Sequence, residues 1–300
     1  MRACLAMLVL AAAARADVLI LDGGAIVRGD VLKETSETVF VDLGYTVLEV
    51  PADAILDRQR AGRPGEAAPG GGLVTRGAPE LAPGADPLAR AGPAVALVSR
   101  PGRRGGGFVI RQDGYLVAPS RLVEGELEVT VSLLQDGEEG LRRRTFTDVE
   151  VVARNPRVDL ALLRVDPERL ADDPLVALPL AEDGAVAEGD PVIGLHAPLG
   201  AAPRASRGVL VDVEREQDGL LYLQSTIELD EVDSGTPLLD ARGAVVGMQS
   251  WGQVTAKGQS LAIPAARIAH FVENRDAFVV DEDRPSSGYR YLPPPARPDS

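Results

Sequence analysis

Short apolar runs broken by turn residues recur along most of this chain, and the spacing predicts strands. In residues 17–58 the run Val18-Leu19-Ile20-Leu21 meets the turn Asp22-Gly23-Gly24 and continues as Ala25-Ile26-Val27-Arg28-Gly29. An Asp-Gly-Gly turn between β-branched runs predicts a hairpin. Further strands are expected at Thr38-Val39-Phe40-Val41 and Tyr45-Thr46-Val47-Leu48-Glu49-Val50, with a closing turn or last strand over 51–55. Between residues 92 and 272 the pattern resumes. It includes Gly107-Phe108-Val109-Ile110, Tyr115-Leu116-Val117-Ala118, Leu127-Glu128-Val129-Thr130-Val131, Asp159-Leu160-Ala161-Leu162-Leu163-Arg164-Val165, Pro191-Val192-Ile193-Gly194-Leu195, Gly208-Val209-Leu210-Val211-Asp212-Val213 and Ala244-Val245-Val246-Gly247-Met248. So many short strands with little helical period predict an all-β barrel or sandwich. One helix is predicted, Ala265–Val272, entered after Pro264.

The ends and the middle read differently. Residues 1–16 place Arg2 before an apolar run from Ala3 to Ala14 and finish on Ala14-Arg15-Ala16, the small-x-small pattern of a cleaved signal peptide, with Asp17 as mature start. The run is too short to span a bilayer. Residues 59–91 are rich in Gly, Pro and Ala, and are expected to be a flexible linker because they carry too little apolar surface to offset ordering entropy. Residues 273–300, ending in Pro-rich sequence, are expected to be a disordered tail.

Composition narrows the function. The net charge of −14 argues against a nucleic-acid partner, since no basic stretch offsets phosphate repulsion. The single cysteine, Cys4, falls in the predicted signal, so a mature exported chain would hold its fold by its core rather than by disulfides. No later apolar run is long enough for a membrane span. Two separated histidines and no mature cysteine offer no metal-ligand cluster, and the glycines lack the strand-to-helix context of a phosphate loop, so no cofactor is expected. The oligomeric state is left open. The pattern over 17–58 resembles small SH3- or Sm-like barrels, without a sharp motif.

Four segments occur in an order that resembles the HtrA/Deg branch of trypsin-like serine proteases. They are Gly107–Ile110 with Gln112–Gly125, Asn155–Leu163, Val232–Leu239 followed by Gly243–Gly247, and Leu261-Ala262-Ile263-Pro264. The resemblance implies a chymotrypsin-like double β-barrel over 92–272. It also implies a catalytic triad, placing Asp159 at the orienting aspartate and Ser234 at the nucleophile. At the position matching the general-base histidine stands Arg121. A guanidinium stays protonated to a pKa above about 12 and has no lone pair to accept a proton. Arg121 is expected to pair with Asp159 instead.

The resemblance also puts an oxyanion hole around Val232 and Asp233, with Val232 where the family has glycine. A β-branched residue disfavours positive φ and so disfavours the donor geometry. Thr236 replaces a further glycine. Neither His196, in a loop, nor His270, on the last helix, occupies the order a substitute base needs, and both are read as ordinary structural residues. Ser250-Trp251-Gly252 resembles the strand on which trypsin-like enzymes hold substrate backbone, so peptide binding by strand addition is expected there.

The expectation is therefore a trypsin-like protease homologue that binds extended peptides or partner proteins outside the cytoplasm without cleaving them. The alternatives are an active HtrA-like endopeptidase with an atypical site and a structural envelope or scaffold protein.

Overall fold

The computed structural model describes residues 17–22, 25–43, 46–59, 73–77, 87–137, 140–170, 173–196, 204–250 and 259–280. The predicted signal segment therefore lies outside the described residues. The chain divides into two compact units, residues 1–67 and 68–300.

The first unit is a five-stranded antiparallel sheet of β1 (Asp17–Leu21), β2 (Ile26–Glu34), β3 (Thr38–Asp42), β4 (Val47–Pro51) and β5 (Ile55–Gln59), ordered β4-β3-β2-β1-β5. Alternation sets its faces. Leu19, Val27, Val39, Val41 and Val50 are all 2% exposed or less, while residues between them face outward. The segment over 51–55 does both things the sequence allowed: a 3-10 turn at Ala52–Ala54 leads into β5, which returns beside β1.

The second unit holds two closed six-stranded barrels, the double-barrel architecture expected from the sequence. The first uses β6 (Val95–Arg100), β7 (Arg103–Val109), β8 (Tyr115–Ala118), β9 (Glu128–Gly137), β10 (Gly140–Asn155) and β11 (Leu160–Arg164). The second uses β12 (Pro191–His196), β13 (Arg204–Gln217), β14 (Leu220–Ser225), β15 (Pro237–Leu239), β16 (Val245–Ser250) and β17 (Ser260–Pro264). With only 4% aromatic residues, the barrels are filled mainly by aliphatic side chains, with Phe108, Phe146 and Tyr222 buried among them. Val192, Leu210, Leu223, Ile227, Leu238 and Val246 form the core of the second. Each fully buried Leu or Val adds roughly 1.5–3 kcal/mol over an exposed one.

Two segments expected to be loose carry ordered parts. Within the stretch read as linker, Leu180 N–H donates to Thr75 O at 2.8 Å, Gly77 N–H donates to Leu180 O at 2.9 Å, and Arg76 pairs with Asp183 at 2.7 Å. A short helix α1 (Pro87–Ala91) then leads into the buried Gly92-Pro93-Ala94. These contacts use main-chain groups, which every residue carries, and one ion pair, so apolar content did not reveal them. At the other end, helix α2 (Ala265–Glu273) buries Ala265, Ile268, Ala269 and Val272 at helical spacing. The chain beyond it is not loose at once: Phe278, 3% exposed, lies 5.7 Å from Phe271, and Val279 bridges to Ala153 on β10. The tail expected from 273 thus begins with the last residue of α2 and seven more, 274–280, that return to β10 through Val279 and Val280; its residues 281–300 lie outside the described residues.

Candidate active site

Three loops of the second unit bring together Arg121, Asp159 and Ser234. Arg121 lies in a 3-10 turn (Ser120–Leu122) that follows β8 through Pro119. Asp159 ends the β10–β11 turn at φ 55°, a left-handed conformation that Asp tolerates better than most residues. Ser234 ends a second 3-10 turn (Glu231–Asp233) just before β15.

The guanidinium of Arg121 bridges the other two residues. One terminal nitrogen donates to Asp159 Oδ2 and the other donates to Ser234 Oγ. The Arg121 N–H also donates to Asp159 Oδ1 at 3.0 Å. Burial pushes the Asp159 carboxyl above its ordinary value, against the opposing charge and hydrogen bonds of Arg121 and the charge of Arg154. Arg154 is itself buried beneath the site; its Nε donates to Ser120 Oγ at 2.8 Å, and burial lowers its pKa against the pull of Glu124 and Asp159.

This arrangement reverses the polarity a nucleophile needs. A general base accepts the serine proton and so raises electron density on Oγ. Arg121 instead donates a hydrogen bond into the lone pair that would attack. A permanently charged donor has nowhere to put a proton.

The loop before Ser234 is also closed on itself. Asp230 and Asp233 form a capping box, in which Asp230 N–H donates to Asp233 Oδ2 at 3.1 Å and the Asp230 side chain accepts in return. Ser234 N–H points to Glu231 O at 3.3 Å, Gly235 N–H donates to Gln249 O at 2.8 Å, and Thr236 N–H donates to Asp233 O at 3.2 Å. The N–H groups from Asp233 to Thr236 therefore all face protein carbonyls. Val232 is absent from the residues at positive φ, as a β-branched side chain requires, and its side chain is 48% exposed. Thr236 fits the same closed form: its hydroxyl donates to Asp233 O at 2.6 Å and meets the Gln249 carboxamide at 2.8 Å.

The first barrel holds this loop from the other side. Gly106 N–H donates to Ser234 O at 2.7 Å, and a Cβ on Gly106 would lie 2.5 Å from Thr236 Cγ2. Gly235, at φ 92°, is pressed so close to Gly106 O that only glycine fits.

His196 is closer to the site than its place in the sequence implied. It ends β12, 3% exposed, with Nδ1 3.0 Å from Asp233 Oδ1 and Nε2 3.1 Å from Ser206 Oγ. The Asp233 contact is a close polar approach, short of the alignment of a linear hydrogen bond. Burial would raise the Asp233 carboxyl, yet His196, the Asp230 N–H and the charge of Arg204 together hold it below its ordinary value. His196 thus braces the closed loop. His270 lies on α2, where its carbonyl accepts from Asn274. Ser250 ends β16 at 4% exposure, while Trp251 and Gly252 lie outside the described residues.

Sequence reasoning named the three central residues and missed the brace. The Asp230-x-x-Asp233 spacing carried the signal for the closed turn. Nothing in sequence order linked His196 to Asp233, since the pair forms only when β12 is closed into the second barrel.

A trypsin-like peptidase domain family matches residues 105–248. The serine protease HTRA2, mitochondrial, of Bos taurus is 30% identical over 179 residues, 57% of this chain and 36% of that protein. A protein named probable periplasmic serine endoprotease DegP-like, of Halomonas elongata, is 31% identical over 168 residues, 53% of this chain and 32% of its own length. The chain thus spans about a third of the length of these curated relatives. Among solved structures, Deg5 superposes with a TM-score of 0.52 at 21% identity, covering 61% of this chain and 88% of that one, a likeness of fold. With two closed barrels meeting the family match and its relatives, the second unit carries a trypsin-like peptidase domain, and its likeness is to the HtrA/Deg-type, chymotrypsin-fold serine proteases.

Proposed function

We propose that the double-barrel domain is a non-catalytic member of this family that binds extended peptides or segments of partner proteins without cleaving them. The observation that carries the reading is the guanidinium of Arg121 donating to both Asp159 and Ser234 where a proton acceptor is required. The closed loop supports it independently, because the Ser234 N–H faces Glu231 O rather than an incoming oxyanion. Two defects in separate parts of the machinery are harder to bypass than one. Action outside the cytoplasm is part of the proposal. It rests on the signal-like residues 1–16 and on relatives named as periplasmic. Detection of a mature N-terminus at Asp17 by mass spectrometry tests that part.

Fluorophosphonate labelling of the full chain, with casein turnover alongside, tests the rest. We expect neither labelling nor cleavage, with saturable binding of an extended peptide. Labelling at Ser234 together with casein digestion makes the protein a working endopeptidase and ends the proposal. Absence of both cleavage and peptide binding in folded protein points to a structural role instead.

A further inference from the structure

We infer that the cleft beside Ser234 selects acidic peptides and that Arg103 and Arg104 read their carboxylates. The inference rests on the peptide-binding reading and adds the class of ligand.

Arg103 and Arg104 open β7 just after the Pro101-Gly102 turn, with Arg100 paired to Arg103 and Ser99 to Arg104 across the β6–β7 hairpin. A cleft of about 490 Å³ lies on one side, lined by both arginines together with Arg121, Glu231, Val232 and Ser234 among others. A second, of about 550 Å³, shares Gly102, Arg103 and Arg104 and runs on to Ser99 and Ser132. Each lies within the size range of small-ligand sites, about 300–1,000 Å³. The two share the hairpin residues Gly102, Arg103 and Arg104, and an extended chain laid across the hairpin would follow both as one strip.

Charge decides what that chain carries. The protein has 45 acidic residues against 31 basic ones, and around this site other arginines have taken carboxylate partners. Arg100 pairs with Glu126, Arg121 with Asp159 and Arg154 with Glu124. Arg103 and Arg104 are exposed and have no carboxylate partner among the described residues; Arg103 donates one hydrogen bond, to Arg121 O at 3.3 Å. Among the described residues, the first cleft has one carboxylate on its lining, Glu231, and the second has none. With the charge of Arg121 answered by Asp159, the strip presents two open guanidinium forks against one glutamate. Such forks match carboxylates bidentately. Exposed Val232 supplies a small apolar contact beside them.

Fluorescence anisotropy on the full chain, using a labelled peptide of alternating Glu and Ala, tests this. The expected result is binding about tenfold tighter than for the Gln–Ala counterpart, from two partly exposed ion pairs, and weakening with added salt. The double variant Arg103→Glu/Arg104→Glu is expected to lose the Glu peptide and gain a Lys–Ala peptide, with an unchanged melting temperature because both side chains are exposed. Equal affinity for the Glu and Gln peptides, or a preference that survives charge reversal, overturns the acidic selectivity while leaving peptide binding standing. No binding of any peptide by folded protein overturns both. Binding that appears only after residues 281–300 are removed assigns the cleft to the chain's own Asp281-Glu282-Asp283 and overturns an outside ligand.

Discussion

Replacing Arg121 by alanine withdraws the guanidinium and leaves the Asp159 carboxylate with the Arg121 N–H as its remaining close donor at this turn. Breaking a fully buried ion pair costs about 3–5 kcal/mol, and breaking an exposed one about 0–1 kcal/mol. The side chains here are 36% and 20% exposed, so water can enter the gap, and the cost falls between at about 2 kcal/mol. For a domain of this size that lowers the melting temperature by about 4–8 °C. Asp159→Asn should cost less, about 1 kcal/mol, because the orphaned cation is the more exposed partner. The double variant should cost less than the sum, with a coupling of about 1 kcal/mol.

The pH dependence has a definite sign. Burial already raises Asp159, and losing Arg121 raises it further. A carboxyl whose folded pKa exceeds its unfolded value holds its proton longer in the folded state, so its penalty grows as pH rises above about 4. The Arg121→Ala deficit should therefore be larger at neutral pH than near pH 4, as read by calorimetry on both proteins. Equal deficits at both pH values, together with strict additivity in the double variant, refute the ion-pair reasoning.

Four further outcomes are expected. Arg121→His alone should label slowly with fluorophosphonate, and adding Val232→Gly should raise the rate about 10²-fold by freeing oxyanion donors; equal rates would mean the closed loop is no barrier. Gly106→Ala should cost about 1–3 kcal/mol in urea unfolding, because its Cβ meets Thr236 at 2.5 Å. Phe278→Ala should cost about 3 kcal/mol by the same assay, whereas a neutral result would detach residues 274–280 from the barrel. Asp233 sits below the ordinary carboxylate value, so its stabilisation is present above that value and lost as pH falls through its lowered pKa. The stability gap between wild type and Asp233→Asn should accordingly close on acidification, and a gap that persists at low pH would refute it.

On the non-catalytic reading proposed above, two features of the site reinforce one another. Arg121 occupies the lone pair of Ser234, and the loop carrying Ser234 turns its N–H groups inward under a capping box braced by His196. An active enzyme needs that loop open and that hydroxyl released, so histidine at position 121 answers half of the requirement. What the site keeps is a cleft lined by Arg103, Arg104, Arg121 and Ser234.

Local pattern was enough to reveal many of the strands and the final helix, because strand alternation and turn residues are properties of neighbours in the chain, whereas Arg121, Asp159 and Ser234 were picked out by the resemblance of their segments to HtrA/Deg-type proteases. Even the misfit at Val232 was legible, since its φ preference is intrinsic to a β-branched residue. The ordered stretches at 73–77 and 274–280 were not, because they dock through backbone groups and a lone aromatic residue that composition does not register. Barrel closure alone decided that His196 meets Asp233, that Gly106 grips the Ser234 loop, and that Arg103 and Arg104 stand at the edge of the site. Those pairings join residues 37, 128 and about 130 positions apart in the chain, and such contacts exist only once two sheets have curled shut and met.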